Sequence, residues 1–194
     1  MRHHCPPLVP AMVALALLAC SRNGGPPRRP PLPPGEAEEG GPAFLAPVLA
    51  VDHAAPGTAP AATLVAVRTG THGEFDRLVL ELAGELPGYR VAWTKARPHQ
   101  CASGQPAAVA GSAWLEVRLD PAQAHDAQGR LTVARRSEPG LPAVAGVTLT
   151  CDFEGVVSWA VGSGARRPFR VLSLSDPPRL VIDLAHAAAP GGPR

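Results

Sequence analysis

From Thr63 onward, apolar and polar residues alternate with a period of two, the pattern of strands that bury one face. Leu78, Leu80 and Leu82 alternate with Arg77, Val79 and Glu81, and Ala113, Leu115, Val117 and Leu119 alternate with Trp114, Glu116 and Arg118. Leu180, Ile182 and Leu184 alternate in the same way with Arg179, Val181 and Asp183. Each set predicts a half-buried strand with one wet face. Further strands are expected over residues 64–69, 89–95, 144–153, 156–161 and 169–175, separated by turn residues at Thr69-Gly70, Pro87-Gly88, Gly162-Ser163-Gly164, Arg167-Pro168 and Asp176-Pro177-Pro178. The one helical signal is a turn near Pro121 to His125, with Asp120 placed to cap it and Pro121 at its first position. Together these elements predict an all-β domain, an antiparallel β-sandwich or flattened barrel of about eight strands.

Composition limits how much of the chain belongs to that domain. The 194 residues include 24 prolines and 20 glycines, and ten of the prolines fall between Ser21 and Ala62. Such a stretch cannot form a packed core and is expected as a disordered tether over residues 20–62. The folded part is then expected over residues 63–187, with a disordered tail at 188–194. Ahead of the tether, Met1 to Pro7 carries Arg2, His3 and His4, and Leu8 to Ala19 is an uncharged apolar run too short to span a bilayer as a helix. The run ends Leu17-Leu18-Ala19-Cys20, which resembles a bacterial lipobox. Residues 1–19 are therefore expected to be a lipoprotein signal peptide and Cys20 the lipidated residue, anchoring the chain to the cell membrane on its extracytoplasmic side. The alternative is a plain secretory signal cleaved near Ala19, which also exports the domain.

With Cys5 in the signal and Cys20 lipidated, Cys101 and Cys151 are the cysteines left to the domain, and in an oxidising compartment they are expected to pair. A metal site using His99 and Cys101 is the competing possibility, but no CxxC or HExxH spacing supports it. From Thr63 to His186 there are 13 Arg or Lys against 12 Asp or Glu, a balance that gives no case for a nucleic-acid partner. No cofactor is expected.

Several segments in order carry a family resemblance. They are Phe75-Asp76-Arg77-Leu78-Val79-Leu80-Glu81-Leu82, Pro87-Gly88-Tyr89-Arg90-Val91, Asp152-Phe153-Glu154-Gly155-Val156-Val157-Ser158-Trp159 and Arg167-Pro168-Phe169-Arg170-Val171. They close with Asp176-Pro177-Pro178-Arg179-Leu180-Val181-Ile182-Asp183-Leu184-Ala185-His186, the most specific piece. The set resembles the AMIN-like domain of bacterial envelope lipoproteins, which is similar to the AMIN modules of periplasmic N-acetylmuramoyl-L-alanine amidases and secretins. The resemblance implies a β-sandwich without catalysis of its own that binds or localises to peptidoglycan or an associated wall glycopolymer. The alternative is an envelope adaptor that binds a protein partner through the same sandwich, by strand addition at an open edge.

Candidate ligand-binding residues follow from which side chains face solvent. Trp93 and Trp159 share faces with apolar neighbours and are expected in the core. Trp114 points with Glu116 and Arg118 and is the candidate ring for stacking on a sugar, unless a loop covers it. Arg166, Arg167, Arg170 and Arg179 lie close in sequence and could recognise carboxylates or phosphates of the wall, or else pair with Asp152, Glu154, Asp176 and Asp183. Asp152 and Glu154, two apart on an expected strand, share a face but are expected to be solvated or paired rather than catalytic. Ser163 lacks the spacing of a nucleophile elbow, and the histidines are expected at the surface.

Overall fold

The computed structural model describes residues 43–45, 50–55, 57 and 60–186. The expected signal peptide, Cys20 and the tail from residue 188 lie outside these residues. Among the described residues there are eleven strands and no helix: β1 (Ala50–His53), β2 (Ala62–His72), β3 (Phe75–Ala83), β4 (Gly88–Trp93), β5 (Ala113–Asp120), β6 (Ala122–Gln123), β7 (Arg136–Ser137), β8 (Gly146–Phe153), β9 (Val156–Ser163), β10 (Phe169–Leu174) and β11 (Arg179–Ala185). They form two sheets, one in the order β1-β4-β5-β9-β8-β7 and one in the order β10-β11-β3-β2-β6. Every pairing is antiparallel except the short parallel contact of β6 with β2.

The sheets pack face to face as a sandwich because the alternation places one apolar row of each strand inward. Leu64, Leu78, Leu80, Leu82, Leu180, Ile182, Leu184 and Phe169 meet Val91, Trp93, Leu115, Val117, Leu119, Leu149, Val157 and Trp159 in one continuous core. Trp93 and Trp159 are both buried, as their faces predict. Burying each large side chain contributes roughly 1.5–3 kcal/mol, which is how a chain with few aromatic residues still holds its two layers together.

The eight long strands fall where the alternation puts them, but several local expectations need correction. The segment 50–53, inside the expected tether, is β1 and pairs with β4 from Ala50↔Ala92 to His53↔Tyr89. β2 does not turn at Thr69-Gly70; its ladder with β3 continues to His72↔Phe75. The helical turn expected at Pro121 to His125 is absent. The amide of Ala122 donates to the Gly155 carbonyl at 2.7 Å, and that of Ala124 to Asp152 Oδ1 at 3.0 Å, so tertiary partners take the donors that a first helical turn leaves open. Gly162 and Ser163 are strand residues rather than a turn. Residues 107–111 cross directly over β9 there, and a Cβ on Gly162 would lie 1.6 Å from the Ala110 carbonyl oxygen. The glycine is required by that approach of backbone to backbone.

Two carboxylates are fully buried. Asp183, expected on a wet face, is held by Arg77 through contacts of 2.7 and 2.9 Å and by Arg170 at 2.8 Å. β11 is an interior strand of its sheet and is covered on both faces. Asp76, on β3, accepts hydrogen bonds from the amides of Ala143 and Val144 and pairs with His186 Nε2 at 2.8 Å. It thereby ties the loop before β8 and the end of the β11 segment to one atom group. His186 is therefore a structural partner and not a free surface histidine. Burial pushes the Asp76 carboxyl up, but hydrogen bonds from His186, Ala143, Thr71 and Val144 outweigh it and hold the pKa below its ordinary 3.8.

A carboxylate held low in the fold contributes stability above its unfolded value, and that contribution is lost as pH falls through the lower folded value. Denaturant titrations should therefore show stability declining below about pH 4, with the Asp76→Ala variant less stable by about 3 kcal/mol at neutral pH and lacking part of that acid slope. Gly162→Ala should cost about 3 kcal/mol in the same assay, whereas Gly164→Ala, with nothing within 4 Å of the added carbon, should stay within about 0.5 kcal/mol.

Candidate functional site

The segment between β4 and β5 forms a strap over the outer face of the six-stranded sheet. Arg97 fixes it from within, its Nε donating to the Ala107 carbonyl at 3.2 Å and its Nη2 to that of Val109 at 3.4 Å. Thr148 Oγ1 donates to the Ala108 carbonyl at 2.8 Å, and the amide of Ser112 to the Ser163 carbonyl at 2.8 Å. The Cys101–Cys151 disulfide pins the other end to β8 across a Cα–Cα distance of 5.2 Å. The expected pairing is present, and with both sulfurs bonded to each other the competing His99–Cys101 metal site has no thiolate to use.

The strap decides the fate of Trp114. Its ring is half-buried against Ala107, Val109 and Ala160, with the Arg97 guanidinium 5.6 Å from the ring centroid. Its indole Nε1 is buried and has no hydrogen-bond partner among the described residues. Trp114 does face outward as the alternation implies, but it packs beneath the strap and is not an open platform for a sugar.

The four arginines close in sequence are not gathered into one patch. Arg166 donates to the Thr94 carbonyl at 2.5 Å, and Arg167 Nε to Ser163 Oγ at 3.2 Å. Arg170 is taken up by Asp183 and lies 4.7 Å from the Phe44 ring centroid and 4.9 Å from that of Phe75. Arg179 donates to the Pro177 carbonyl at 3.2 Å. In the β10–β11 register Arg170 opposes Asp183 and Arg179 opposes Leu174, which separates the two by four residues of strand, roughly 13 Å. Of the expected acidic partners, Asp183 is the one that forms an ion pair with any of these four. Asp152 and Glu154 also part company. Glu154 has φ 48° and, with Gly155 at φ 78°, makes the two-residue turn between β8 and β9, while Asp152 stays on β8.

What the structure assembles instead is a cleft of about 350 Å³ beside the disulfide, with Gln100, His125, Leu131, Arg135, Asp152 and Phe153 on its walls. Phe153 stands at the foot of the β8–β9 turn with 62% of its surface exposed, and Leu131 is 38% exposed. Asp152 is occupied on both oxygens, by the Ala124 amide and by His125 Nδ1 at 2.8 Å. The Thr150 hydroxyl donates to the Ser158 carbonyl at 3.1 Å, so neither it nor the disulfide sulfurs are presented as nucleophiles. Among the described residues no group of three or more His, Cys, Asp or Glu is arranged to hold a metal ion. The sequence carried one signal for the cleft: Glu154-Gly155 is a hairpin dipeptide that leaves the preceding Phe153 near the tip. The approach of residues 100, 125, 131 and 135 had none, because it depends on the strap and on the loop between β6 and β7.

The model of the AMIN-like domain family matches residues 62–186. No curated protein and no solved structure matches the chain.

Under non-reducing conditions, Cys101 and Cys151 should be unreactive toward thiol reagents. Replacing both by serine should cost up to about 4 kcal/mol in denaturant unfolding, the loop-entropy value for a 50-residue separation.

Proposed function

From a chain that belongs to the AMIN-like domain family, a family of extracytoplasmic, peptidoglycan-associated domains, we propose a non-catalytic, lipid-anchored envelope protein whose sandwich binds peptidoglycan or an associated wall polymer. The match over residues 62–186 supports the wall-associated part of this proposal, since it spans the whole of both sheets except β1. The physical chemistry of the chain supports it in two further ways. An apolar run ending at Cys20 suits a lipid anchor, for which two or more acyl chains are sufficient without a spanning helix. The proline-rich stretch between Cys20 and Leu45, the first described residue paired to the sheets, would give the domain reach, with a root-mean-square span of roughly 27 Å if it behaves as a flexible coil. Near-neutral charge over the domain agrees with recognition through a few placed contacts rather than through a broad electrostatic field.

Metabolic labelling with a fatty-acid probe should tag the wild-type chain and fail on Cys20→Ser; equal labelling of both would reject the anchor. Sedimentation with isolated sacculi tests the binding role. Retention in the pellet is the expected result, and a chain that stays in the supernatant rejects wall binding and transfers the role to a protein partner.

A further inference from the structure

We infer that the cleft between the strap and the β8–β9 turn is a binding site for a sugar ring that carries a carboxylate. The inference rests on the proposed wall-binding role for the source of the sugar, but its location and chemistry come from the cleft itself. Three large apolar side chains of the described residues stand exposed, Val65, Leu131 and Phe153, and two of them belong to this one cleft. An aromatic ring with 62% of its surface in water is the kind of surface on which the apolar face of a pyranose stacks.

The charge at the cleft is equally selective. Each of the other arginines among the described residues has its side chain in a hydrogen bond or ion pair within the protein: Arg68, Arg77, Arg90, Arg118, Arg130, Arg136 and Arg170 with carboxylates, and Arg97, Arg166, Arg167 and Arg179 with carbonyl or hydroxyl oxygens. Arg135 has no side-chain partner among the described residues, and it lines the cleft. Its guanidinium fork matches a carboxylate in geometry and charge. The one carboxylate on the walls, Asp152, has both oxygens engaged by Ala124 and His125 and does not compete for that fork.

Two polar groups complete the site. Gln100 Nε2 donates to the Leu149 carbonyl at 3.2 Å, leaving its amide oxygen for a ligand hydroxyl or amide N–H. His125 is oriented through Nδ1 by Asp152, leaving Nε2 for the ligand. With the disulfide holding Gln100 and Cys101 against β8, these groups stand in a fixed frame, and about 350 Å³ is within the range of small-ligand sites. The carboxylate could come from a lactyl-bearing amino sugar on a peptidoglycan strand whose stem peptide has been removed, since an attached stem converts that carboxyl to an amide, or from a uronic acid of an acidic wall polysaccharide; the recognition chemistry is the same.

The test uses the full chain and two exposed substitutions, Phe153→Ala and Arg135→Ala, whose thermal midpoints should match the wild type. Each should weaken sedimentation with sacculi by about tenfold, the value of one charged hydrogen bond or one stacked ring. Wild-type retention with both variants unchanged would overturn the cleft while leaving wall binding intact. A second arm reads the Phe153 ring by NMR in the chain carrying Cys20→Ser, titrated with N-acetylmuramic acid, glucuronic acid or N-acetylglucosamine. Shifts with either acid, lost in Arg135→Ala and at least about fivefold weaker for the uncharged sugar, support the site even where sacculi are not bound. The stronger acid identifies the source of the carboxylate. Equal response to the uncharged sugar, or no shift with any of the three, overturns the inference.

Discussion

The crossing of the strap over β9 is the contact on which the outer face of the larger sheet depends. The Ala110 carbonyl occupies the space where any side chain at position 162 would begin, so strap and strand touch backbone to backbone. That contact brings Ala107 and Val109 onto Ala160 and Trp114 and sets the line along which residues 100–102 return to β8. The disulfide then fixes the far end. Glycine at the crossing and a covalent bond at the edge solve different parts of one problem: a long connection without secondary structure of its own must be held down at both ends to form a wall. The same connection buries the tryptophan that alternation alone leaves exposed and builds one side of the cleft that replaces it.

Buried charge plays the corresponding part on the other sheet. Asp183 and Asp76 are both removed from water, and each is compensated in a different way. Asp183 faces outward from the middle of the five-stranded sheet and is neutralised by two guanidiniums from the adjacent strands, Arg77 on β3 and Arg170 on β10. Asp76 faces inward at the end of β3 and is satisfied mainly by backbone amides and His186. Either carboxylate without its partners would carry a penalty of several kcal/mol, so each fixes the position of the groups around it. The closing strand is thus held at both Asp183 and His186, which gives a physical role to the two polar residues of the most family-like segment, Val181-Ile182-Asp183-Leu184-Ala185-His186.

The eight long strands and the inward set of apolar side chains were legible because the period of two acts locally: a residue's face is fixed by its neighbours once the strand exists. The same rule placed Trp93 and Trp159 in the core and turned Trp114 outward. It failed where a second layer covers an outward face, as the strap does at Trp114 and as paired arginines do at Asp183. It failed also at Gly162, where glycine looks like a turn residue until another backbone is found lying on it. Residues 50–53 carry too little alternation to stand out from a proline-rich stretch, and they become a strand only because β4 offers a free edge.

Sequence by itself determined the strand pattern, the all-β class, the pairing of the two domain cysteines as an expectation, and the family to which the chain belongs. These are properties of local periodicity, of residue order and of redox chemistry. Tertiary structure alone decided which outward side chains remain open. It covered Trp114, consumed Arg170, and left Phe153 and Arg135 facing one cleft although 18 positions separate them in the chain. Exposure is a relation between distant segments, set by how a connection packs on a sheet, and no single strand's pattern contains it.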